Sequence, residues 1–209
     1  MYVPAHFAAD DEAVHELLAH HGAADLVTMT TDGLVATMLP FVHDRSRNVL
    51  LGHFARNNDH WRRTVVGEAL VIMRGPDAYV SPAWYESKRE HGRVVPTWNY
   101  VTVHFTGPVT FHRDPEWLRG LVTRLTTKYE GQREQPWHVT DAPPAFIDGQ
   151  LRGIVGVEMT VTRVEAKAKL SQNRGAADRA GAIEGLRGED DPGSAGIADL
   201  MVRQETTAT

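Results

Sequence analysis

The segment from Gly52 to Asn58 combines residue types that can bind an anion, and it lies where a predicted strand ends and a predicted helix begins. Backbone N–H groups at a helix start attract negative charge, and the guanidinium of Arg56 adds a bidentate fork. The segment therefore predicts a phosphate site. The alternative is that Asn57 and Asn58 only cap the helix while Arg56 lies on the surface, because helix caps are far commoner than phosphate sites.

Two aromatic-rich segments could hold a planar ligand. Five of the chain's Trp and Tyr residues lie in the segments 79–85 and 96–100, near predicted strand ends. Ser, Thr and Asn are interleaved with them, which suits a ligand that stacks on its faces and forms hydrogen bonds at its edges. The same aromatics could instead seal the mouth of a barrel or a subunit interface.

A dense run of hydrogen-bond donors follows later in the chain, at Lys169, Ser171, Gln172, Asn173 and Arg174. Such a run can grip a polar ligand. It can equally begin a helix, because Ser and Asn are preferred caps.

Several common chemistries lack their motifs. His15, His20 and His21 lie five and six residues apart, whereas a zinc-protease helix needs histidines four apart. The sequence contains no phosphate-binding Gly-x4-Gly-Lys-Ser/Thr, no Gly-x-Gly-x-x-Gly between strand and helix, and no Gly-x-Ser-x-Gly elbow. The absence of cysteine removes disulfides, thiolate metal sites and thiol nucleophiles.

Composition and charge predict one large globular domain with an acidic tail. The chain has 209 residues, is 42% hydrophobic and carries a net charge of −5, from 22 basic and 27 acidic residues. Residues 188–209 contribute most of that negative charge, so the body is nearly neutral and lacks the basic field that drives nonspecific DNA binding. Without a signal-like opening, a long apolar run or cysteine, the sequence predicts a cytoplasmic protein that is not bound to a membrane.

The first half of the chain predicts antiparallel strands. A helix is predicted over 10–21, and strands over 26–29 and 34–39 form a hairpin in which Asp32-Gly33 supplies positive backbone angles. Pro40 should end the pairing or lie on an edge, and a third strand follows at 49–53. A short helix carrying Trp61 and Val65 comes next, and then a buried run over 69–73.

The second half predicts two strands and two helices. Alternation over 101–111 predicts one long bent strand across Gly107-Pro108, and Asp114-Pro115 predicts the start of a helix that packs on the sheet. Residues 155–161 predict the last strand, and a helix then reaches about Leu186. We interpret residues 188–209 as linker-like with a short helix, after a domain of residues 1–187. These elements favour a mainly β fold, an antiparallel barrel with peripheral helices.

A set of ordered motifs resembles the PaiB family of FMN-binding negative transcriptional regulators, from Met1 to about Arg187. The motifs are Met1-Tyr2-Val3-Pro4-x-His6-Phe7, Leu39-Pro40-Phe41, Gly52-His53-x-Ala55-Arg56-x-Asn58-x-x-Trp61, Ala78-Tyr79-Val80-Ser81-Pro82-x-Trp84-Tyr85, Val94-Val95-Pro96-Thr97-Trp98-Asn99-Tyr100 and Lys169-Leu170-Ser171-Gln172-Asn173-Arg174. The resemblance implies a flavin-type split β-barrel, similar to pyridoxamine phosphate oxidase, that forms a homodimer with FMN at the subunit interface. Two positions depart from the family pattern: Asp59 replaces a proline and Ala168 replaces an aromatic residue.

The resemblance also implies which residues bind the cofactor. Those expected at the FMN phosphate are His53, Ala55, Arg56, Asn57 and Asn58. Thr37 belongs to a strand expected to lie along the isoalloxazine, and the remaining candidates are Trp98, Asn99, Tyr100, Lys169, Gln172 and Asn173, of which the last three are expected to reach the partner's flavin. No metal ligands and no catalytic residues are implied.

Three functions remain open on the sequence. The first is an FMN-binding homodimeric regulator of PaiB type, with DNA only weakly supported as a partner because no helix-turn-helix motif is present. The second is a flavin-dependent oxidoreductase that uses FMN with a nicotinamide or a small-molecule substrate, since the flavin itself carries the redox chemistry. The third is a structural dimer whose ancestral pocket is vacant.

Overall fold

The computed structural model describes residues 1–20 and 22–207, with side chains up to Gln204. His21, which the sequence places at the end of the first helix, lies outside the described residues. Within these ranges the helices are α1 Asp11–His20, α2 Glu86–Glu90, α3 Pro115–Glu130, α4 Pro144–Leu151, α5 Ala176–Arg187 and α6 Pro192–Thr207. The strands are β1 Ala23–Thr30, β2 Gly33–Asp44, β3 Val49–Ala55, β4 Ala69–Val80, β5 Thr97–Gly107, β6 Val109–His112, β7 Ile154–Thr160 and β8 Arg163–Lys169. Single turns of 3-10 helix span Ala5–Phe7, His60–Arg62, Pro82–Trp84 and Val139–Asp141.

The chain divides into two compact units, each assembled from separated stretches. We call them the central unit, His15–Met73 with His104–Val164, and the terminal unit, Met1–Val14 with Arg74–Val103 and Glu165–Thr209. In the central unit the strands follow the order β6-β7-β3-β2-β1-β4, and in the terminal unit the order is β4-β5-β8. Every pairing whose register is defined is antiparallel, as the sequence predicts.

The β1–β2 hairpin forms as predicted, but its turn differs in detail. Thr30 pairs with Gly33, and Gly33 alone has a positive φ, at 111°, whereas Asp32 does not. The Thr30 hydroxyl donates to the Gly33 carbonyl at 2.8 Å and accepts from the Asp32 N–H at 3.2 Å. A side-chain hydrogen bond therefore closes the turn, and only one residue needs the conformational freedom of glycine.

Pro40 ends one ladder without ending its strand. It is the last residue of β2 to pair with β1, opposite Ala23, and from Phe41 onward the strand pairs with β3 instead. Because proline lacks an N–H donor, it suits the position where β2 changes partner.

Helix α3 covers one face of the central unit. The Asp114 carboxylate accepts from the Trp117 N–H at 2.8 Å and caps the helix, and Pro115 occupies its first turn, as predicted. Leu121 and Leu125 of α3 pack against Val49 and Leu51 of β3. The strand predicted over 101–111 is divided, since β5 ends at Gly107 and β6 begins at Val109.

The terminal unit contains elements that the sequence does not predict, and the short helices α2 and α4 are further ones. Strand β8 follows β7, and residues 192–207 form a 16-residue helix rather than a linker with a short helix. Ile197, Ala198 and Met201 of α6 have no exposed surface. The C-terminal segment therefore belongs to the hydrophobic core of this unit.

Candidate functional site

A chain of polar side chains lies inside the central unit, with His60 at its middle. His60 has no exposed surface, and both of its ring nitrogens contact threonine hydroxyls. Nε2 lies 2.7 Å from Thr28 Oγ1 of β1, and Nδ1 lies 2.8 Å from Thr37 Oγ1 of β2. Burial lowers the pKa of His60, and the charge of Arg63 lowers it further. The imidazole is therefore neutral at neutral pH.

Asn58 completes this chain from the loop after β3. Its Oδ1 accepts from the His60 N–H at 2.9 Å, and its Nδ2 donates to Thr37 Oγ1 at 3.5 Å. The predicted candidates Thr37 and Asn58 are thus brought together by the structure, and His60 joins them.

His53 lies nearby in sequence but has a different environment. It occupies β3 opposite Gly156 of β7, burial lowers its pKa, and its Nδ1 is buried without a hydrogen-bond partner among the described residues. An unsatisfied buried nitrogen costs free energy, which a ligand or water could recover.

The guanidinium of Arg56 is not free to bind an anion through two parallel hydrogen bonds, in contrast to the sequence prediction. Its Nε donates to the Arg152 carbonyl, its Nη2 donates to the Ile154 carbonyl at 3.2 Å, and its backbone N–H donates to the Gly153 carbonyl at 2.8 Å. These bonds fasten the end of β3 to the start of β7. One of its terminal amino groups, Nη1, has no such bond.

The helix predicted at this position is a single turn. It spans 60–62, Val65 lies beyond it, and the Asn58 N–H donates to the Ala55 carbonyl at 2.9 Å. So short a turn has no useful dipole, and the phosphate site stays a prediction that depends on side-chain charge. Ala55 and Asn57 are exposed beside the turn.

Two other arginines supply positive charge at the same end of β3. The guanidiniums of Arg62 and Arg113 lie 5.0 and 5.9 Å from the ring centroid of Trp61, whose Nε1 donates to the Arg56 carbonyl at 3.0 Å. Within the described residues neither guanidinium forms an ion pair with a carboxylate. Asp59, the first departure from the family pattern, is paired with Arg63 at 2.8 Å. Two guanidiniums that form no ion pair within the described residues, those of Arg62 and Arg113, therefore lie beside Trp61.

The candidates of the terminal unit divide between two faces of β5. Trp98 is 54% exposed and meets the ring of Tyr79 edge to face at 6.1 Å, while Tyr100 lies 5.3 Å from Lys167 Nζ. Asn99 points the other way, is fully buried, and donates to Ser171 Oγ at 2.9 Å. Its amide is used inside the unit and is not presented to a ligand there.

The donor run after β8 is mostly committed to local structure. Lys169 Nζ donates to the Trp98 carbonyl at 2.7 Å and to the Thr97 hydroxyl, and burial lowers its pKa. The Gln172 side chain bonds the Leu170 N–H at 2.7 Å and the Ala168 carbonyl at 2.6 Å, which closes a turn. Asn173 is exposed and not part of the helix, because α5 begins at Ala176.

A cavity of about 540 Å³ opens in the terminal unit beside Trp98. Its lining combines aromatic rings with carboxylates: Tyr79, Trp84, Trp98, Asp77, Glu189 and Asp191. The predicted aromatic segments therefore do converge. Because the charged lining residues are all acidic, the cavity does not suit a phosphate.

The central site fits the chemistry of FMN, a flat ring system that ends in a phosphate dianion. Two guanidiniums without carboxylate partners suit the phosphate, the orphaned His53 Nδ1 offers one polar contact, and the Thr37 hydroxyl offers another. Among the described residues, no cluster of His, Cys, Asp and Glu could hold a metal ion.

Sequence reasoning missed Thr28, His60, Arg62 and Arg113. His60 and Arg62 flank Trp61, which belongs to a quoted motif. Their position next to that tryptophan is the sequence signal that could have identified them. Thr28 lies on β1 and Arg113 directly follows β6, and the pairing of distant strands brings both near.

Comparison with known proteins gives a consistent result. Residues 1–163 match a family model described as "Putative FMN-binding domain". The chain is 34% identical over 205 residues to the Bacillus subtilis (strain 168) "Protease synthase and sporulation protein PAI 2", with 96% of each chain covered. It is 33% identical over 176 residues to an uncharacterized protein of Aspergillus fumigatus, covering 68% of this chain and 67% of the other.

Solved structures with low sequence identity share the fold. A conserved hypothetical protein from Mycobacterium tuberculosis superposes with a TM-score of 0.58 at 13% identity, covering 83% of this chain and 92% of the other. The FAD and heme binding protein from Mycobacterium smegmatis superposes with a TM-score of 0.54 at 14% identity, covering 77% and 71%. The predicted fold class, an antiparallel split β-barrel with peripheral helices, is confirmed. No helix among the described residues is both long and apolar enough to cross a membrane.

Proposed function

The chain belongs to the FMN-binding family that includes the Bacillus subtilis protein PAI 2, and from this premise we propose that it acts as a flavin-responsive negative regulator of transcription. FMN is the cofactor, and it supplies reversible redox chemistry when bound. The chain's own residues supply position, charge and hydrogen bonds. We place this regulator in the cytoplasm, as the absence of cysteine suggests.

The cofactor site that the geometry supports best is the end of β3 in the central unit. Arg62 and Arg113 would hold the phosphate beside Trp61, with Asn57 and the free amino group of Arg56 as further donors. Thr37, held by His60 and Asn58, would face the ring system, and the unpaired Nδ1 of His53 would offer a further polar contact. The observation that carries this assignment is the pair of guanidiniums on the Trp61 ring, neither of which forms an ion pair with a carboxylate of the described residues.

Titration with FMN and riboflavin tests this assignment, because riboflavin lacks only the phosphate. We expect Arg62→Ala and Arg113→Ala each to weaken FMN binding about tenfold or more, the effect of losing one charge-assisted contact, and to leave riboflavin affinity unchanged. Arg119→Ala is the matched control, since Arg119 on α3 forms an ion pair with Asp148 of α4. Equal losses for both flavins would place the phosphate elsewhere.

The candidate residues in the terminal unit are not assigned to the FMN site of their own subunit. Asn99 and Gln172 hold the local structure, while Trp98, Tyr100, Lys169 and Asn173 remain candidates for contact with the partner's flavin. We expect their substitution to weaken FMN binding only in the assembled dimer.

The proposed homodimer has a candidate surface on the β1–β2 hairpin. Leu34 and Met38 on β2 are each 70% exposed, and Met29 on β1 and Val66 in the loop before β4 are also exposed. Leu34 pairs directly with Met29 across the hairpin, so these side chains form one apolar strip. A second copy of the chain would remove this strip from water, which stabilises association.

Sedimentation analysis of single variants tests the dimer. Met38→Asp should shift the protein toward monomer, whereas Phe146→Asp, an equally drastic change at an exposed site on α4, should not. Identical sedimentation of the two variants would exclude this strip as the interface.

The regulatory role is best tested as a dependence on flavin state. A net charge of −5 disfavours nonspecific DNA binding, so any association with DNA should be specific and should differ between oxidised and reduced FMN. Mobility-shift assays at stated salt, with apo protein as control, distinguish direct DNA binding from an indirect regulatory role.

A further inference from the structure

We propose that His60 is a positioning residue whose tautomer decides whether the Thr37 hydroxyl donates a hydrogen bond to bound FMN or accepts one from it. This inference rests on the proposed placement of FMN beside Thr37. His60 is an unspecified position within the motif from Gly52 to Trp61, and the resemblance gives it no role.

The geometry restricts His60 to two arrangements. Its ring is fully buried, each nitrogen contacts one hydroxyl, at 2.7 and 2.8 Å, and the Phe54 ring lies 5.2 Å away. A neutral imidazole carries its proton on one nitrogen and accepts at the other. His60 therefore donates to one threonine and accepts from the other at any moment.

Asn58 removes the remaining ambiguity at Thr37. The His60 N–H donates to Asn58 Oδ1 at 2.9 Å, which turns the amide nitrogen of Asn58 toward Thr37 Oγ1 at 3.5 Å. Asn58 thus occupies one of the two lone pairs of the Thr37 oxygen. What Thr37 offers a ligand depends only on His60.

The two tautomers give Thr37 opposite roles. With the proton on Nε2, His60 donates to Thr28, Nδ1 accepts the Thr37 O–H, and Thr37 presents a lone pair as an acceptor. With the proton on Nδ1, His60 donates to Thr37, the Thr28 O–H turns to Nε2, and the Thr37 O–H is free to donate. No net charge moves between the two states, so the change needs no buried ion.

A flavin ring edge carries both N–H donors and oxygen or nitrogen acceptors, and reduction converts ring nitrogens from acceptors to donors. A hydroxyl of fixed direction matches only one of these patterns. A hydroxyl whose direction follows the His60 tautomer matches either pattern, and so lets the protein bind both redox states of the cofactor with little loss.

Histidine 15N NMR spectra read the tautomer directly, in apo protein and with oxidised and reduced FMN, with His60 assigned by its absence in His60→Gln. We expect one neutral tautomer to dominate with oxidised FMN and the other to gain population with reduced FMN. The same tautomer in all three samples would overturn the proposal and leave His60 a structural residue.

Binding measurements supply the second readout. His60→Gln can exchange donor and acceptor only by turning its whole buried amide over, not by moving a proton, so we expect it to widen the difference between the Kd values of oxidised and reduced FMN by about tenfold. Thr37→Val should abolish the difference between the Kd values of oxidised and reduced FMN, and Thr37→Ser should restore that difference. His43→Gln is the matched control, because His43 is a half-buried histidine of the central unit and its ring contacts neither Thr28 nor Thr37.

These outcomes separate the two proposals. If the wild-type protein takes up no FMN, both the cofactor assignment and this inference fail. If it binds FMN while the His60 tautomer stays the same in the three NMR samples and the Kd difference stays constant in His60→Gln and Thr37→Val, only this inference fails. Circular dichroism and unfolding of each variant distinguish loss of fold from loss of discrimination.

Discussion

Single residues in the central unit decide how closely helix α3 packs on the sheet. Gly156 of β7 lies under Trp117 of α3, and a Cβ atom at this position would lie 2.0 Å from the indole ring. The same ring stacks on His112 at 4.0 Å, so it cannot easily move aside. The absence of one methyl group is what allows the helix to lie flat on the sheet.

Gly156→Ala should therefore destabilise the protein by about 1–3 kcal/mol, the usual range for overpacking. Gly120→Ala on α3 is the matched control, since a Cβ there meets nothing within 4 Å. Alanine should stabilise that exposed helical position by about 0.5–1 kcal/mol. Urea unfolding of both variants measures the two effects, and shifts of the same sign would contradict the packing argument.

Asp44 should make stability depend on acid pH. Hydrogen bonds from Arg124, at 2.5 Å, and from Ser46, at 2.7 Å, lower the pKa of its carboxyl well below the usual value. Its contribution is therefore present above the unfolded-state pKa of about 3.9 and is lost as the pH falls below it. Asp44→Asn should be less stable than wild type at pH 7, and the two should converge as the pH is lowered from 5 to 2. A constant difference across that range would contradict the assignment.

For single residues, the sequence identifies the functional segments correctly, but it does not identify the contacts of each side chain. Arg56 was correctly placed at the end of β3, but its guanidinium bonds two backbone carbonyls of the 152–154 turn, a partner nearly a hundred residues away. His60 stands inside a recognised motif, yet its role depends on Thr28 and Thr37 from two other strands. Spacing cannot reveal such partners, because strand register determines them.

Elements with strong periodicity were predicted well, and those with weak or mixed signals were not. The alternation in β1, β2 and β3 and the caps of α3 determine those elements locally. Strand β8 relies on Val164, Ala166 and Ala168, and alanine has little strand preference. Helix α6 was interpreted as a linker because Pro, Gly and Ser cluster at its start, although Asp191 before Pro192 is also a helix-start signal.

Met201 should show that α6 is part of a core. Its side chain is fully buried, with its sulfur 3.5 Å from the Asn99 amide nitrogen. Met201→Ala should cost about 2–5 kcal/mol, as for other buried large-to-small changes. Asp199→Ala on the exposed side of the same helix is the control, and thermal unfolding of both is the measurement. A negligible loss at Met201 would restore the linker interpretation.

For the whole molecule, ligand linkage is the most direct expectation. FMN that binds only the folded state stabilises it by about 2.7 kcal/mol at a free concentration of 100 times Kd. The melting temperature should therefore rise with FMN concentration, and less with riboflavin at the same concentration if the arginines contact the phosphate. An unchanged melting temperature at saturating FMN would be incompatible with preferential binding to the folded chain.

The terminal unit consists of three separated stretches of the chain, the last of which begins at Glu165. During translation its core therefore cannot close until α6 has left the ribosome, because Ile197 and Met201 are among its buried residues. The central unit ends at Val164 and can complete its core earlier. On stalled ribosomes we expect protease resistance to arise first in the central unit. Chains that terminate before α6 would leave the terminal unit unfolded, and its exposed apolar residues would be accessible to chaperones and proteases.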